Sequence, residues 1–406
     1  MPLFYGWVIV GAGIVITCIG MGAMLTLSVF LQPISEAMGW SRTGVSTAAL
    51  LNWLCMGIGS FLWGALSDRF GTRSVVISGG VLLGLGMVLG SQATTLGQFQ
   101  LVFGIIVGLA AGSFYAPLIA TTTRWFTEHR SLAVALVSCG VSVGSMLMVP
   151  VARWLISSYD WRFAMLVIGD AVWLLVIPAA MLVRNAPAPS VTEALATTAG
   201  ADGRELTVGQ ALRTPQFAAI ALTHLACCAT HSGPIFHMIT HAMDQGIPAM
   251  AAATILSTAS FASLGGRVLC GLLADRIGAK PTLVAGLVLQ AVAVFLYLFT
   301  RELSSFYALA LVFGFSYGSV MPLYAILVRE YFGAKIMGTA FGAVAFASTL
   351  GMAVGPLFGG WLYDASGSYA WLFIGSAGIG FGAVAIAATF RAPRRLPAVL
   401  PAPSGI

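Results

Sequence analysis

Long apolar stretches separated by short polar turns run almost the whole length of the chain. Twelve of them, centred near residues 18, 55, 83, 109, 143, 172, 227, 260, 290, 316, 350 and 380, each hold the roughly 20 apolar residues that a membrane-crossing helix needs. The apolar residues run continuously instead of alternating, which is the pattern of helices and not of barrel strands. The first stretch has no basic residues ahead of it and no small-residue cleavage site, so it is expected to be retained as a helix. One long polar segment, 184 to 213, interrupts the series and is rich in Ala, Pro, Thr and Gly. It reads as a linker between a first six-helix bundle, residues 1–183, and a second, residues 214–391. The end of this linker, from Leu206, has the pattern of a short amphipathic helix, and the Pro-rich residues 392–406 read as a disordered tail.

Composition narrows the class. With 59% hydrophobic and only 8% charged residues over 406 positions, the chain lacks the polar surface a soluble fold requires. The expected fold is therefore an all-α membrane protein. All six cysteines (Cys18, Cys55, Cys139, Cys227, Cys228 and Cys270) fall inside predicted spans without metal-ligand spacing, so neither a disulfide nor a metal is expected. No zinc helix motif, phosphate-binding loop or serine elbow occurs, and the loops are too short for a catalytic domain, which excludes an enzyme and any cofactor.

The cations orient the chain. If both termini face the cytoplasm, fourteen of the nineteen Lys and Arg fall in inner segments, and only Arg42, Arg153, Arg162 and Arg301 fall in outer loops. That asymmetry places a multi-pass protein in a plasma membrane, of the bacterial inner-membrane type, with both ends inside. The net charge of +6 then reports topology and contact with anionic lipid, not nucleic acid. A single chain of two halves gives no call for an oligomer, so a monomer is expected.

The halves repeat. GALSDRFGTR at 64 to 73 returns as GLLADRIGAK at 271 to 280, GSFYAPL at 112 to 118 as GSVMPL at 318 to 323, and RWFTEHRSLA at 124 to 133 as REYFGAKIMGTA at 329 to 340. Duplicated helical halves are how secondary transporters are built. On these motifs the whole chain resembles the major facilitator superfamily, whose Asp-Arg-x-Gly-x-Arg/Lys loop follows helix 2 and returns after helix 8. The resemblance implies twelve helices in two six-helix pseudo-repeats. More narrowly, FYGWVIV at 4 to 10, FLQPISEAMGWSRTGVS at 30 to 46, RWFTEHRSLAVALVSCGVSVG at 124 to 144 and HMITHAMDQGIP at 237 to 248 look like the monocarboxylate-transporter and oxalate:formate-exchanger branch.

One residue carries the candidate chemistry. Arg267 belongs to neither side's loops and lies eight residues before Asp275, about 12 Å into helix 8 at 1.5 Å per residue. A cation at such depth costs about 2.5 to 3.5 kcal/mol on insertion scales, so it must face protein, water or a counter-ion. Its guanidinium stays charged and can grip a carboxylate with two hydrogen bonds. The competing reading is a structural ion pair. In the resembling branch an arginine at this place contacts the substrate carboxylate. Oxalate exchangers add a lysine on helix 11, which this chain lacks, so the resemblance implies a molecule with one carboxyl group. Eukaryotic-type members carry a lysine in helix 1 and an aspartate four residues before the arginine. Here helix 1 has no cation and the second position is Ser263, so their proton-coupling scheme does not transfer.

Other candidates are weaker. Histidine titrates near pH 6.5, and His224, His231, His237 and His241 all lie on helix 7 or at its outer end. His237, after a Gly233-Pro234 break, is the leading proton-coupling and substrate-binding candidate, with Asp170 on helix 6 competing for the proton. Tyr115 on helix 4 can donate its hydroxyl to a carboxylate. Asn52 on helix 2 and Ser263, one turn from Arg267, complete the proposed substrate site. Each has a bland alternative in ordinary helix packing. Asp68, Arg69, Arg73, Asp275, Arg276 and Lys280 read as a cytoplasmic latch that holds the outward-open state while the halves rock. The expected function is alternating-access transport of a small organic monocarboxylate with a proton. The alternatives are a carboxylate exchanger and an efflux carrier for drug-like molecules.

Overall fold

A computed structural model describes residues 4–126, 130–184, 207–332 and 336–390, with the side chains of a few more positions, Asp68 and Asp275 among them, outside the description. The described residues form twelve long helices and no strand. They are α1 (Tyr5–Met38), α2 (Arg42–Phe70), α3 (Thr72–Ser91), α4 (Leu96–Thr122), α5 (Arg130–Ser158) and α6 (Trp161–Met181). The second set is α7 (Pro215–Asp244), α8 (Ala249–Ile277), α9 (Ala279–Phe299), α10 (Leu303–Phe332), α11 (Met337–Ser366) and α12 (Ala370–Ala388). Eleven are long and apolar enough to cross a membrane. The other, α7, is 30 residues long but carries four histidines, which lower its apolarity. The fold is that of a multi-pass membrane protein.

Local chemistry fixes the helix ends. Ser41 caps α2 by accepting from the Gly44 amide, Asp160 caps α6 by accepting from Phe163 N, and Thr214 with Pro215 starts α7. The repeated loop motif has a backbone reason. α2 ends at Gly71 with φ 84° and α8 ends at Gly278 with φ 93°, in the left-handed region where a glycine turns the chain without strain. Of the linker, only the one-turn helix Val208–Leu212, closed by a Thr207/Gln210 capping box, lies within the described residues. The rest of the segment from 185 to 206, and the tail 392–406, lie outside them.

Packing follows the sequence repeat. α1 lies along α5 and α3 along α6, while α7 lies along α11 and α9 along α10 and α12. A Cβ at Gly144 would sit 2.2 Å from the Cys18 carbonyl oxygen, and one at Gly355 2.3 Å from the Gly233 nitrogen. Gly140 and Gly144 therefore let α5 reach α1, and Gly351 and Gly355 let α11 reach α7, each within its own set of six. The two sets meet along two seams, α2 against α11 and α5 against α8.

Candidate functional site

At the outer end, as the cations assign it, the seam is closed by a polar cluster. Arg42, on the first turn of α2, donates from Nη1 to Asp244 Oδ2 at 2.9 Å and from Nη2 to Oδ1 at 3.0 Å. The fork reaches the last residue of α7, and both partners are mostly shielded from solvent. Arg42 Nη1 also donates to the Tyr369 hydroxyl at 2.8 Å, and its guanidinium lies 3.7 Å above the Tyr363 ring. Beside it, the Thr43 amide donates to Asp364 Oδ2 at 2.8 Å, so a second carboxylate from α11 seals the start of α2.

His237 belongs to this cluster. It is fully buried, with Nε2 2.8 Å from the Pro356 carbonyl and Nδ1 3.1 Å from the Tyr369 hydroxyl. A carbonyl only accepts, so Nε2 carries the ring proton and Nδ1 accepts from Tyr369. Burial pushes the Tyr369 phenol, in the loop before α12, up to about 12, so it remains a donor. A continuous chain of contacts thus runs from the Arg42–Asp244 fork through Tyr369 and His237 to Pro356.

Pro356 also lines a cavity between the two sets of helices. The cavity measures about 100 Å³, room for several waters or one small organic acid. Its wall carries no charged side chain; Met21, Trp53, Phe236, Phe313 and Tyr317 give it an apolar and aromatic character. Its serines are engaged: Ser28 Oγ donates to the Leu25 carbonyl and Ser232 Oγ to that of Gly351, while Ser145 and Ser260 share a 2.7 Å hydrogen bond across the α5–α8 seam. Asn52, 2% exposed, donates from Nδ2 to the Phe103 carbonyl at 2.8 Å, in a π-helical turn of α4, Gln100–Val107, and its Oδ1 has no partner.

Arg267 lies on the same face of α8 as Ser260, seven residues and about 10 Å further toward the expected inner end. It is half-buried, and its Nε is buried without any partner. Tyr115, from the other set of helices, starts the helix that resumes after the Gly112–Phe114 break in α4. It is 41% exposed, with its hydroxyl 3.1 Å from Ser138 Oγ. Neither lines the cavity above. Ser263, fully buried, pairs at 3.1 Å with Ser142 of α5 and so spans the seam.

One expectation is corrected by these positions. Asp170, expected within helix 6 as a competing proton site, faces away from the helix bundle and is exposed, because the buried stripe of α6 runs through Ile168, Gly169, Val172 and Val176 and leaves Asp170 one step off it. Among the expected latch residues, Arg73 Nε donates to the Val183 carbonyl just beyond α6, and Lys280 Nζ to the Ala388 and Phe390 carbonyls at the end of α12. Each tie stays within its own set of six helices. Arg69 and Arg276 are exposed, with Arg69 over the Phe70 ring. The side chains of Asp68 and Asp275 lie outside the described residues.

Sequence reasoning reaches His237 but not its partners in the outer cluster. In the sequence Arg42 stands only as an outer-loop cation, and no motif marks Asp244 as its partner. The signal available was that each sits beside a helix-terminating glycine, Gly39 and Gly246, on the same expected side.

Comparison with known proteins bears on the whole chain. A family model described as Major Facilitator Superfamily matches residues 12–278 and 232–405. Monocarboxylate transporter 13 of Rattus norvegicus is 29% identical over 379 residues, covering 91% of this chain and 85% of that protein. Monocarboxylate transporter 11 of Homo sapiens is 28% identical, covering 91% and 79%. The MFS-type transporter YhjX of Escherichia coli is 27% identical, covering 85% and 84%. Among solved structures, a bacterial homolog of the human lysosomal transporter Spinster, in an inward-facing and unoccupied conformation, superposes with a TM-score of 0.70 at 15% identity, over 96% of this chain and 95% of that one.

Proposed function

The chain belongs to the major facilitator superfamily and is a membrane transporter, and from that premise we propose that it carries a small organic monocarboxylate by alternating access with proton symport. The observation that carries the substrate class is Arg267, a guanidinium inside a membrane helix whose buried Nε has no partner. An unpaired cation there is costly unless an anion arrives, and a carboxylate fits its fork. The monocarboxylate transporters among the relatives support the same class. Arg267 supplies one positive charge and the cavity wall adds none, so one carboxyl group is what the proposed site can neutralise.

The closed outer cluster supports an inward-facing reading of this conformation. In the cycle proposed here, opening the outer end parts Arg42 from Asp244, frees Tyr369 and exposes His237 Nδ1 to an external proton. The carboxylate neutralises Arg267 and the proton charges His237, so the rocking halves, residues 1–183 and 214–391, carry a proton and an anion whose own charges cancel past the apolar wall. Tyr115 donates to the bound carboxylate. Asp68, Arg69, Arg73, Asp275, Arg276 and Lys280 form the inner counterpart of the outer cluster once that end closes. The cation asymmetry supports a plasma membrane of the bacterial inner type with both termini inside, and the two joined halves suffice as a monomer.

The test is uptake of labelled monocarboxylates into proteoliposomes under an inward proton gradient. Wild type is expected to accumulate substrate and Arg267→Ala to lose accumulation, while His237→Ala keeps exchange but loses the response to the gradient. Normal transport by Arg267→Ala would overturn the reading.

A further inference from the structure

A buried amide with one end satisfied and the other open is unusual in a cavity whose serines are all engaged. Asn52 is such a group. Its Nδ2 faces a carbonyl, which fixes the amide orientation and makes the free atom Oδ1 an acceptor. Leaving such an acceptor unpaired and shielded from water is unfavourable, and no side chain among the described residues relieves it. A carboxylate cannot, because it has no proton to give. Packing alone explains Nδ2, which ties α2 to the π-helical turn of α4, but it leaves Oδ1 without a role.

We infer that the cavity selects monocarboxylates whose apolar body carries a hydrogen-bond donor, a hydroxyl or N–H remote from the carboxyl group, and that Asn52 Oδ1 receives it. This rests on the carboxylate reading above. Arg267 lies beyond Ser260 toward the inner end of α8, outside the cavity wall, so the charged end of the molecule and its donor end are held at different levels. Beside Asn52, Trp53, Phe236, Phe313 and Tyr317 line the cavity with aromatic side chains, which suits a flat, aryl body. Asn52 is thus a specificity residue, and the substrates are amphipathic acids larger than the simplest short-chain ones.

The experiment is competition for uptake of a labelled monocarboxylate in proteoliposomes, comparing phenylpropanoate with its meta- and para-hydroxy forms, in wild type, Asn52→Leu and Arg267→Gln. One hydroxy form is expected to compete roughly three- to tenfold better than the parent acid in wild type, with the advantage gone in Asn52→Leu. Equal competition by all three in wild type overturns the inference while leaving carboxylate transport standing. An advantage that survives Asn52→Leu removes Asn52 from the role. If that variant does not fold, the wild-type ratio still decides whether the cavity selects a donor. Arg267→Gln transporting like wild type would instead sink the carboxylate reading, and this inference with it.

Discussion

Arg42 and Asp244 meet through both nitrogens of the guanidinium fork, at 2.9 and 3.0 Å, across the seam between the first and second sets of helices. Both lie at helix ends, and neither is free in solvent. A paired fork of this kind, partly shielded, contributes about 1.5 kcal/mol. Removing it with Arg42→Gln is expected to shift the balance toward the outward-open form roughly tenfold. A cysteine placed at Tyr317, in the cavity wall, then reacts faster with a membrane-impermeant thiol reagent added outside. The charge swap Arg42→Asp with Asp244→Arg restores slow labelling, and failure of the swap to do so would mean that the pair does not hold the end closed.

His237 and Tyr369 extend the same cluster inward. The phenol stays protonated through the working pH range, since burial holds it near 12. A pH response of the outer end near neutrality therefore does not come from this tyrosine. Tyr369→Phe removes the donor to Nδ1 and the acceptor for Arg42 together. The expected result is easier opening and an uptake optimum that moves with external pH more than in wild type. His237→Gln should flatten the pH profile of gradient-driven uptake and leave substrate exchange within about threefold. An unchanged profile in His237→Gln would assign the proton elsewhere.

Arg73 and Lys280 occupy equivalent places in the repeat and make equivalent contacts, each donating to free carbonyls at the end of the last helix in its set. Arg73→Ala and Lys280→Ala should each lower stability by about 0.5 to 1 kcal/mol, additively, because the two ties are remote from each other and share no partner. Thermal unfolding in detergent reads the effect. A strongly non-additive double variant would show that the two ends are coupled in this conformation.

Much of this was legible in the chain, and the divisions have physical reasons. Apolar runs of spanning length dictate helices, so all twelve were visible, although the histidines of α7 weaken its signal. The repeated loop motif marked the same helix boundary in both halves, and the structure adds that its glycine, Gly71 or Gly278, turns the chain with positive φ. Arg267 stood out because cations inside spans are expensive. What stayed hidden depends on rotation about a helix axis and on pairing between distant segments. A single step of 100° separates exposed Asp170 from buried Gly169. No pattern within α2 says that Arg42 faces Asp244, 202 positions away. Ser263 shares a face with Arg267, but rotation about the helix axis sets that face against α5, where Ser263 Oγ donates to the Ser260 carbonyl and lies 3.1 Å from Ser142 Oγ.

The same reasoning separates a working Arg267 from a structural one by stability alone. A guanidinium that held the fold through an ion pair would, when removed, strand a buried acid and destabilise the protein by several kcal/mol. Arg267 has no partner at Nε, so neutralising it relieves the cost of a charge in a membrane helix. Arg267→Gln is therefore expected to unfold at the same temperature as wild type or a few degrees higher, while uptake falls at least a hundredfold. Arg267→Lys keeps the charge and loses the fork, which should raise KM roughly tenfold and leave kcat within a few-fold. A marked loss of thermal stability in Arg267→Gln, with binding of carboxylates unaffected, would make it a scaffold residue instead.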